Sequence, residues 1–159
     1  MSGTLRVLAG DCQPTARAGE LAARVYEVAA VMWAAEVVSA KRMTALAERL
    51  QDPRARARVM VLAAFCRAHA SRLHARLATR RGPLPVATES HGGATIGVAL
   101  KDEANFARRM ADRYEVLAEL ARQHSDLQSA WVAELNRTEE QDRARELMML
   151  AKGMAGGAP

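Results

Sequence analysis

The sequence predicts an all-α protein folded as an antiparallel four-helix bundle, and three observations support this prediction. Phe, Trp and Tyr make up only 4 % of the 159 residues, whereas Ala, Leu, Arg, Glu and Met abound, a composition that favours helices over strands. Four stretches repeat apolar side chains every three or four positions, which is the period of one helix face. Turn signals join these stretches into two helical hairpins with a longer linker between them, in a chain of single-domain length.

The first hairpin is predicted to contain helices at about 16–50 and 53–80, after an N-terminal segment at 1–14. Asp52 is placed to cap the second helix, and Pro53 suits its first position, where a missing N–H costs nothing. The expected core stripe of the first helix is Leu21, Val25, Ala29, Met32, Glu36, Ala40, Met43, Ala47 and Leu50. That of the second helix is Val59, Leu62, Cys66, His69, Leu73 and Leu77.

The second hairpin is predicted at about 96–124 and 126–152, after a Pro- and Gly-containing linker at 82–93 and before a disordered tail at 153–159. The predicted helix caps are Thr95 for the third helix and Ser125 or Asp126 for the fourth. The expected stripe of the third helix is Glu103, Phe106, Met110, Tyr114, Leu117 and Ala121. That of the fourth is Trp131, Leu135, Thr138, Asp142 and Met149.

The cysteine content and the apolar stretches narrow the class of protein. Cys12 and Cys66 do not form a disulfide framework and suit a reducing compartment. The start of the chain lacks the apolar run of a secretion signal, and no segment approaches the roughly 20 apolar residues needed to cross a bilayer. We therefore expect a cytoplasmic protein without a membrane segment.

The net charge of +5 comes mainly from arginine, with a dense run at Arg54, Arg56 and Arg58. Such a run is typical of a solvated helix face, and its alternative is a surface for an acidic partner or a nucleic acid. No aromatic residues interleave with it to stack on bases, which argues against nucleic acid.

Polar side chains interrupt all four apolar stripes. A carboxylate such as Glu36 in a bundle core costs several kcal/mol unless it is paired, protonated or metal-bound. His69 and Cys66 also suit metal, but an imidazole hydrogen-bonded in the core and a small buried thiol are the simpler interpretations. The position of Glu103 near the start of its helix allows water to solvate its carboxylate. A slight rotation of the fourth helix would likewise bring the Asp142 carboxylate to water.

With these polar positions in view, the chain resembles the ferritin-like superfamily, and its rubrerythrin-like members in particular, from about residue 16 to 150. Such bundles bind two irons through one Glu from each of two helices and a Glu-x-x-His pair from each of the other two. Glu36 matches the first helix, and Cys66-Arg67-Ala68-His69 matches the second pair with Cys in the Glu position. In TEEQD at 138–142, Glu139 is retained and Asp142 replaces His.

The third helix departs furthest from the resemblance, because Phe106 or Ala107 falls at its Glu position and the nearest acid, Glu103, lies about one turn earlier. The resemblance therefore implies an incomplete di-iron site, which lacks bridging carboxylates. A single transition metal, iron or zinc, is the expected cofactor, with Cys66 biasing the site towards zinc. The candidate metal ligands are Glu36, Cys66, His69, Glu103, Glu139 and Asp142.

Two functions remain open on these residues. One is a metal protein in iron or redox handling, which as an enzyme would be a metal-dependent oxidoreductase. The other is a non-catalytic scaffold that acts through self-association or a protein partner and uses its polar cluster to fix helix register. A homodimer is expected, and apolar strips outside the core are its sign. The candidates for such a strip are Val31, Val38 and Ala45 on the first helix and Val132 on the fourth.

Overall fold

A computed structural model describes residues 13–79, 84–85 and 94–155, with side chains described between residues 18 and 154. All of its regular structure is helical: α1 (Gln13–Arg49), α2 (Pro53–Leu77), α3 (Ile96–Gln123) and α4 (Leu127–Ala155). The prediction of an all-α, four-helix protein is confirmed. Among the described residues, none of these helices combines the length and apolarity that crossing a bilayer requires.

The helix boundaries differ from the predicted ones by a few residues. Helix α1 begins before residue 16, and α2 ends at Leu77 rather than near residue 80. Helix α4 continues through Gly153 to Ala155, so the start of the predicted tail is helical. The remaining tail at 156–159, most of the N-terminal segment and most of the linker lie outside the described residues.

Side chains at the helix starts fix three of the boundaries. The Asp52 carboxylate accepts hydrogen bonds from the backbone N–H groups of Arg54 (3.0 Å) and Ala55 (3.2 Å), as predicted for the cap of α2. Thr95 caps α3 through the N–H of Val98. Asp126 accepts the N–H of Ser129 at the start of α4, so of the two predicted caps it is the one that bonds.

The four helices form a square arrangement in which every neighbour is antiparallel. Helix α1 packs against α2 and α3, and α4 packs against α2 and α3. One apolar cluster joins the first half of α1 to the last turns of α2 and α3 and the start of α4. A second cluster joins the end of α1 to the start of α2 and α3 and the end of α4. Because α2 ends at the first cluster and α3 begins at the second, residues 78–95 connect opposite ends of the bundle.

The predicted core stripes of α1, α2 and α3 face the interior, with Leu21 and Phe106 only partly covered. The predicted stripe of α4 is wrong. Trp131 is 64 % exposed, Met149 is 56 % exposed, and Thr138 and Asp142 also lie at the surface. The residues of α4 that face the interior are Ala133, Asn136, Glu140, Arg143, Leu147 and Ala151.

A single physical reason accounts for this error. Helix α4 carries its largest apolar side chain, Trp131, on the outer face, whereas small and polar groups make up most of the inner face, with Leu147 as its largest apolar member. A search for bulky apolar residues at helical spacing therefore selects the wrong side. The interior positions nevertheless repeat every three or four residues, as a buried helix face must.

Of the four residues proposed for an apolar strip outside the core, two lie in the interior. Val38 and Val132 are buried, so they are not available for association. Val31 is exposed on α1, as is Ala45.

Candidate metal centre

A buried polar layer separates the two apolar clusters. It lies midway along the bundle and receives side chains from all four helices, because the inward stripe of each helix carries a polar residue at this level. Its fully or nearly fully buried members are Glu36 and Ser39 of α1, Cys66 and His69 of α2, Glu103 and Tyr114 of α3, and Asn136, Glu140 and Arg143 of α4.

His69 is at the centre of the layer and contacts three carboxylates. Its Nε2 lies 2.9 Å from Oε2 of Glu139, and its Nδ1 lies 3.2 Å from Oε1 of Glu36 and 2.9 Å from Oε1 of Glu140. Burial acts to lower the pKa of His69, but its contacts with Glu140 and Glu36 outweigh burial and raise the pKa to about 9. At neutral pH the imidazole is therefore a cation that donates from both nitrogens.

The Nδ1 hydrogen of His69 cannot satisfy both of the carboxylates beside it. It is directed at Glu36, whose Oε1 also accepts from the Tyr114 hydroxyl at 2.9 Å. This leaves Oε2 of Glu36 and Oε1 of Glu140 without a hydrogen-bond partner, although both side chains are fully buried. Unsatisfied buried carboxylate oxygens are costly, so these two atoms call for a proton, a water or a cation.

Cys66 completes a group of three metal-ligand atoms. A carboxylate oxygen of Glu36, a carboxylate oxygen of Glu140 and Sγ of Cys66 all lie within 4.8 Å of one another, and all three residues are buried. A tetrahedral zinc ion holds its donors about 3.5 Å apart, so small side-chain movements would bring these atoms into range. Nδ1 of His69 lies against the same two carboxylates, at the edge of the group.

The Cys66 thiol keeps its proton in the absence of a metal. Burial raises the pKa of Cys66 to about 12, and the nearby charge of Arg143 offsets only part of this effect. The thiol also contacts the Ser39 hydroxyl at 3.6 Å and the backbone carbonyl of Leu62 at 3.5 Å. Cys66 is a free cysteine, and Cys12 lies outside the described residues.

Arg143 is the largest fully buried side chain of the layer. Its guanidinium donates to Oε2 of Glu140 at 2.8 Å, to the Ser39 hydroxyl at 2.9 Å and to Sγ of Cys66. It also faces the ring of Phe106, with 5.6 Å between its central carbon and the ring centroid. Burial acts to lower the pKa of Arg143, but the acidic groups around it, including Glu140 and Glu36, outweigh burial and raise it, so the guanidinium stays charged.

The third helix contributes no carboxylate to the centre of the layer. Glu103 accepts from the Ser39 hydroxyl at 2.8 Å and from Arg42, and so lies one step away from Cys66. The guanidinium groups of Arg42 and Arg143 both contact the ring of Phe106, one of the two residues that the sequence places at the Glu position of α3. Neither Phe106 nor Ala107 supplies the carboxylate that the resemblance leads one to expect at this position.

Glu139 connects the layer to the surface between α2 and α4. It accepts from Nε2 of His69 and, at 2.5 Å, from Arg72, and its side chain is 23 % exposed. Burial acts to raise the pKa of Glu139, but the hydrogen bond and charge of Arg72 lower it. An ionised Glu139 fixes the Nε2–H of His69 and directs Nδ1 towards the buried carboxylates, as carboxylates do for metal-binding histidines.

The candidate ligands predicted from sequence therefore separate into groups. Glu36, Cys66 and His69 lie at the centre of the layer, whereas Glu103 and Glu139 border it through Ser39 and His69. Asp142 lies outside it, because its side chain is 61 % exposed and pairs with Arg145 on the same helix.

The sequence interpretation missed Glu140 and Arg143. It took Glu139 and Asp142 as the polar pair of α4. The correct pair is one residue further along, and both of its members are fully buried. The available signal was the spacing from Asn136 through Glu140 and Arg143 to Leu147, which alternates steps of four and three residues.

A surface groove of about 410 Å³ lies between α2 and α4 and reaches the layer. Leu62, Phe65 and Val61 line its α2 side, and Asp142 and Glu146 supply acidic groups on its α4 side. Arg143 is at its inner wall.

The charges of the inner layer balance without a metal ion. The two buried carboxylates of Glu36 and Glu140 face two cations, the His69 imidazolium and the Arg143 guanidinium. A di-iron centre would need two metal ions, and the second of them would compete with Arg143 for the carboxylates of Glu36 and Glu140. The residues do not fit a di-iron centre, whereas the group formed by Glu36, Cys66 and Glu140 has the donors for one divalent transition-metal ion.

Comparisons with known proteins leave the function to be inferred from this geometry. The chain matches no family model, no curated protein and no solved structure.

Proposed function

We propose that this chain is a ferritin-like bundle protein that binds a single divalent transition-metal ion, in the service of iron or redox handling. The observation that carries the proposal is the convergence of Glu36, Cys66 and Glu140 within 4.8 Å, with Oε2 of Glu36 and Oε1 of Glu140 accepting no hydrogen bond. The ferritin-like part is supported by the two antiparallel hairpins and by a linker that joins opposite ends of the bundle. Self-association as a dimer remains part of the proposal.

The chemistry of the donors favours zinc or iron over magnesium and calcium. One thiolate and two carboxylates form a mixed soft and hard set, and Nδ1 of His69 lies next to it as a fourth donor. Glu139 would hold the imidazole in the tautomer that leaves Nδ1 free for the metal. Such an enclosed site favours holding an ion over turnover of a substrate.

Metal titration of variants tests the proposal. In a Cys12→Ala background, we expect the wild-type site to bind one Zn²⁺ per chain by calorimetry. Glu36→Gln and Cys66→Ser should each weaken binding at least tenfold, because each removes a ligand. Asp142→Asn is the matched control, since it removes an acid from the same region at the surface. Equal binding by all four proteins, or no binding by the wild type, would overturn the proposal.

A non-catalytic scaffold is the second candidate, and one observation specifically favours it. Arg143 and His69 already neutralise the buried acids, so the layer is a complete ion-pair network without metal. In that case Glu36→Gln would lower the free energy of unfolding while the metal content of the purified protein stayed at background. Such a scaffold would act through its exposed apolar groups, of which Trp131 is the largest. Sedimentation of wild type and Trp131→Ala would measure that association.

A further inference from the structure

We infer that Trp131 of one chain fills the groove between α2 and α4 of a second chain, in a symmetric dimer whose two α4 helices run antiparallel. The partner is therefore another copy of this chain, and each copy provides both the inserted side chain and the groove. The inference rests on the self-association included in the proposed function, to which it gives a surface, and it does not depend on the metal site.

In the described part of the chain, no helix covers the apolar stripe on the outer face of α4. Leu127, Trp131 and Met149 are 72 %, 64 % and 56 % exposed, and Leu135 on the same side is partly exposed. Their spacing is that of one helix face, which is why periodicity alone selects this stripe as core. A run of large apolar side chains in water is typical of an interaction surface.

The groove that receives Trp131 lies on the same side of α4, further along the helix. It has a volume of about 410 Å³ and is lined by Val61, Leu62 and Phe65 of α2 and by Asp142 and Glu146 of α4. Asp142 follows Trp131 by eleven residues, which is about three helical turns, so both side chains point to one side. Those turns separate the two by about 16 Å along the axis. The indole of the same chain therefore cannot fill the groove, whereas that of an antiparallel second chain can.

One two-fold axis brings the two chains into register. Leu127 and Met149 each lie eleven residues from Thr138, so an antiparallel pair centred on Thr138 sets Leu127 of each chain against Met149 of the other. Trp131 lies seven residues before Thr138, so its counterpart is Arg145, which stands between the two α4 residues that line the groove. The register that joins the apolar ends of the stripe thus also delivers Trp131 to the groove. This self-complementarity favours a second copy over an unrelated partner.

The rim of the groove suits an indole in charge as well as in shape. Glu146 pairs with Arg58 between α4 and α2, and Asp142 pairs with Arg145 on α4. The indole N–H is a donor, and a carboxylate oxygen of the rim can accept its hydrogen bond. A guanidinium of the rim can lie against the ring, for which Trp is the best cation–π partner. An aliphatic side chain would make neither contact, so Trp131 is the residue of the stripe that fits the groove best.

The experiment is sedimentation velocity of full-length, metal-free Cys12→Ala protein over a range of concentrations. We expect a monomer–dimer equilibrium whose dissociation constant rises at least about tenfold in Trp131→Ala, which removes the inserted side chain, and in Val61→Arg, which obstructs the groove. Ala57→Arg obstructs the same groove from one turn earlier and replaces Val61→Arg if that variant does not fold. Val31→Arg is the matched control and should associate like the wild type, since Val31 on α1 is 54 % exposed and Val61 is 57 % exposed.

Mixing the two variants tests the exchange itself. Trp131→Ala keeps the groove and Val61→Arg keeps the tryptophan, so a mixed dimer has one Trp–groove contact, whereas either variant alone has none. The mixture should associate more tightly than either variant by itself and more weakly than the wild type. At dilutions where the wild type is monomeric, Trp131→Ala should keep the wild-type Tm, because the side chain lies at the surface of the monomer.

The outcomes separate this inference from the proposed function. A wild type that stays monomeric overturns the inference and the self-association, while the metal titration still decides the metal site. A dimer that survives Trp131→Ala or Val61→Arg, is weakened equally by Val31→Arg, or is not restored by mixing leaves self-association standing and overturns the inference. If the dimer responds as expected but the protein binds no metal, the inference stands and the metal site fails.

Discussion

His69 and Arg143 determine the electrostatics of the buried layer. Each is a fully buried cation that contacts Glu140, and His69 also contacts Glu36. They differ in chemistry, because the guanidinium cannot lose its charge whereas the imidazolium can. His69 is therefore the titrating part of the layer, and its charge should control stability in the alkaline range.

The stability of the metal-free protein should fall with rising pH because of His69. Its pKa is raised from 6.5 to about 9 on folding, so the stabilisation is fully present below pH 6.5 and is lost as pH rises through 9. A shift of this size corresponds to about 3 kcal/mol. Chemical denaturation at pH 6 and pH 9.5 in EDTA measures it. His69→Gln should show a clearly smaller difference between the two pH values; an unchanged difference would assign the effect to other groups.

Cys66 should be protected from alkylation in the native state. Its side chain is buried and burial raises its pKa to about 12, so little thiolate is present or accessible at neutral pH. In a Cys12→Ala background we expect iodoacetamide to modify the native protein at least a hundredfold more slowly than the protein in denaturant, measured by mass spectrometry. Rapid modification of the native protein would contradict the burial of Cys66.

At the scale of the helices, sequence periodicity predicted three of the four inward faces. The stripes of α1, α2 and α3 combine bulky apolar residues with their polar members, so Glu36, Cys66 and His69 could be identified among them. In helix α4 the bulkiest apolar residue does not mark the inward face, because Trp131 is exposed and Glu140 is buried. The spacing from Asn136 to Leu147 could have identified the inner face of α4. Which buried charges pair depends on all four helices together, so spacing within α4 could not reveal the ion pairs.

The register of α4 can be tested with two truncations. Trp131 is 64 % exposed and Leu147 is fully buried. Trp131→Ala should change the free energy of unfolding by about 0.5 kcal/mol or less, as at other surface positions. Leu147→Ala should lower it by about 2–5 kcal/mol, since it leaves a cavity in the second apolar cluster. Denaturant titration distinguishes this register from the alternative, in which Trp131 would be the costly truncation.

Taken as a whole, the molecule is a bundle whose two apolar clusters are separated by one polar layer. Its surface arginines are partly engaged in the fold: Arg56 donates to the Leu50 carbonyl at the end of α1, and Arg58 pairs with Glu146. Much of the dense basic run of α2 thus has structural partners. If the proposed function holds, one divalent ion replaces two protons in this layer without changing its net charge.

Metal binding should release about two protons per ion at neutral pH. One comes from the Cys66 thiol and one from the His69 imidazolium, because both ligands must be deprotonated to bind metal. Calorimetry of Zn²⁺ binding in buffers of different ionisation enthalpy counts these protons. Cys66→Ser should reduce the count by about one, whereas Asp142→Asn should leave it unchanged. A count near zero would mean that the ion binds elsewhere.

The most direct test of the metal site is the near-ultraviolet absorption of the Cys12→Ala protein titrated with Co²⁺. Cobalt(II) takes the place of zinc in such sites and absorbs strongly when a thiolate is bound to it. We predict a thiolate-to-cobalt band that saturates at one Co²⁺ per chain, is absent in Cys66→Ser and is unaffected by Asp142→Asn. A titration of the folded protein that produces no such band would contradict metal binding by Glu36, Cys66 and Glu140.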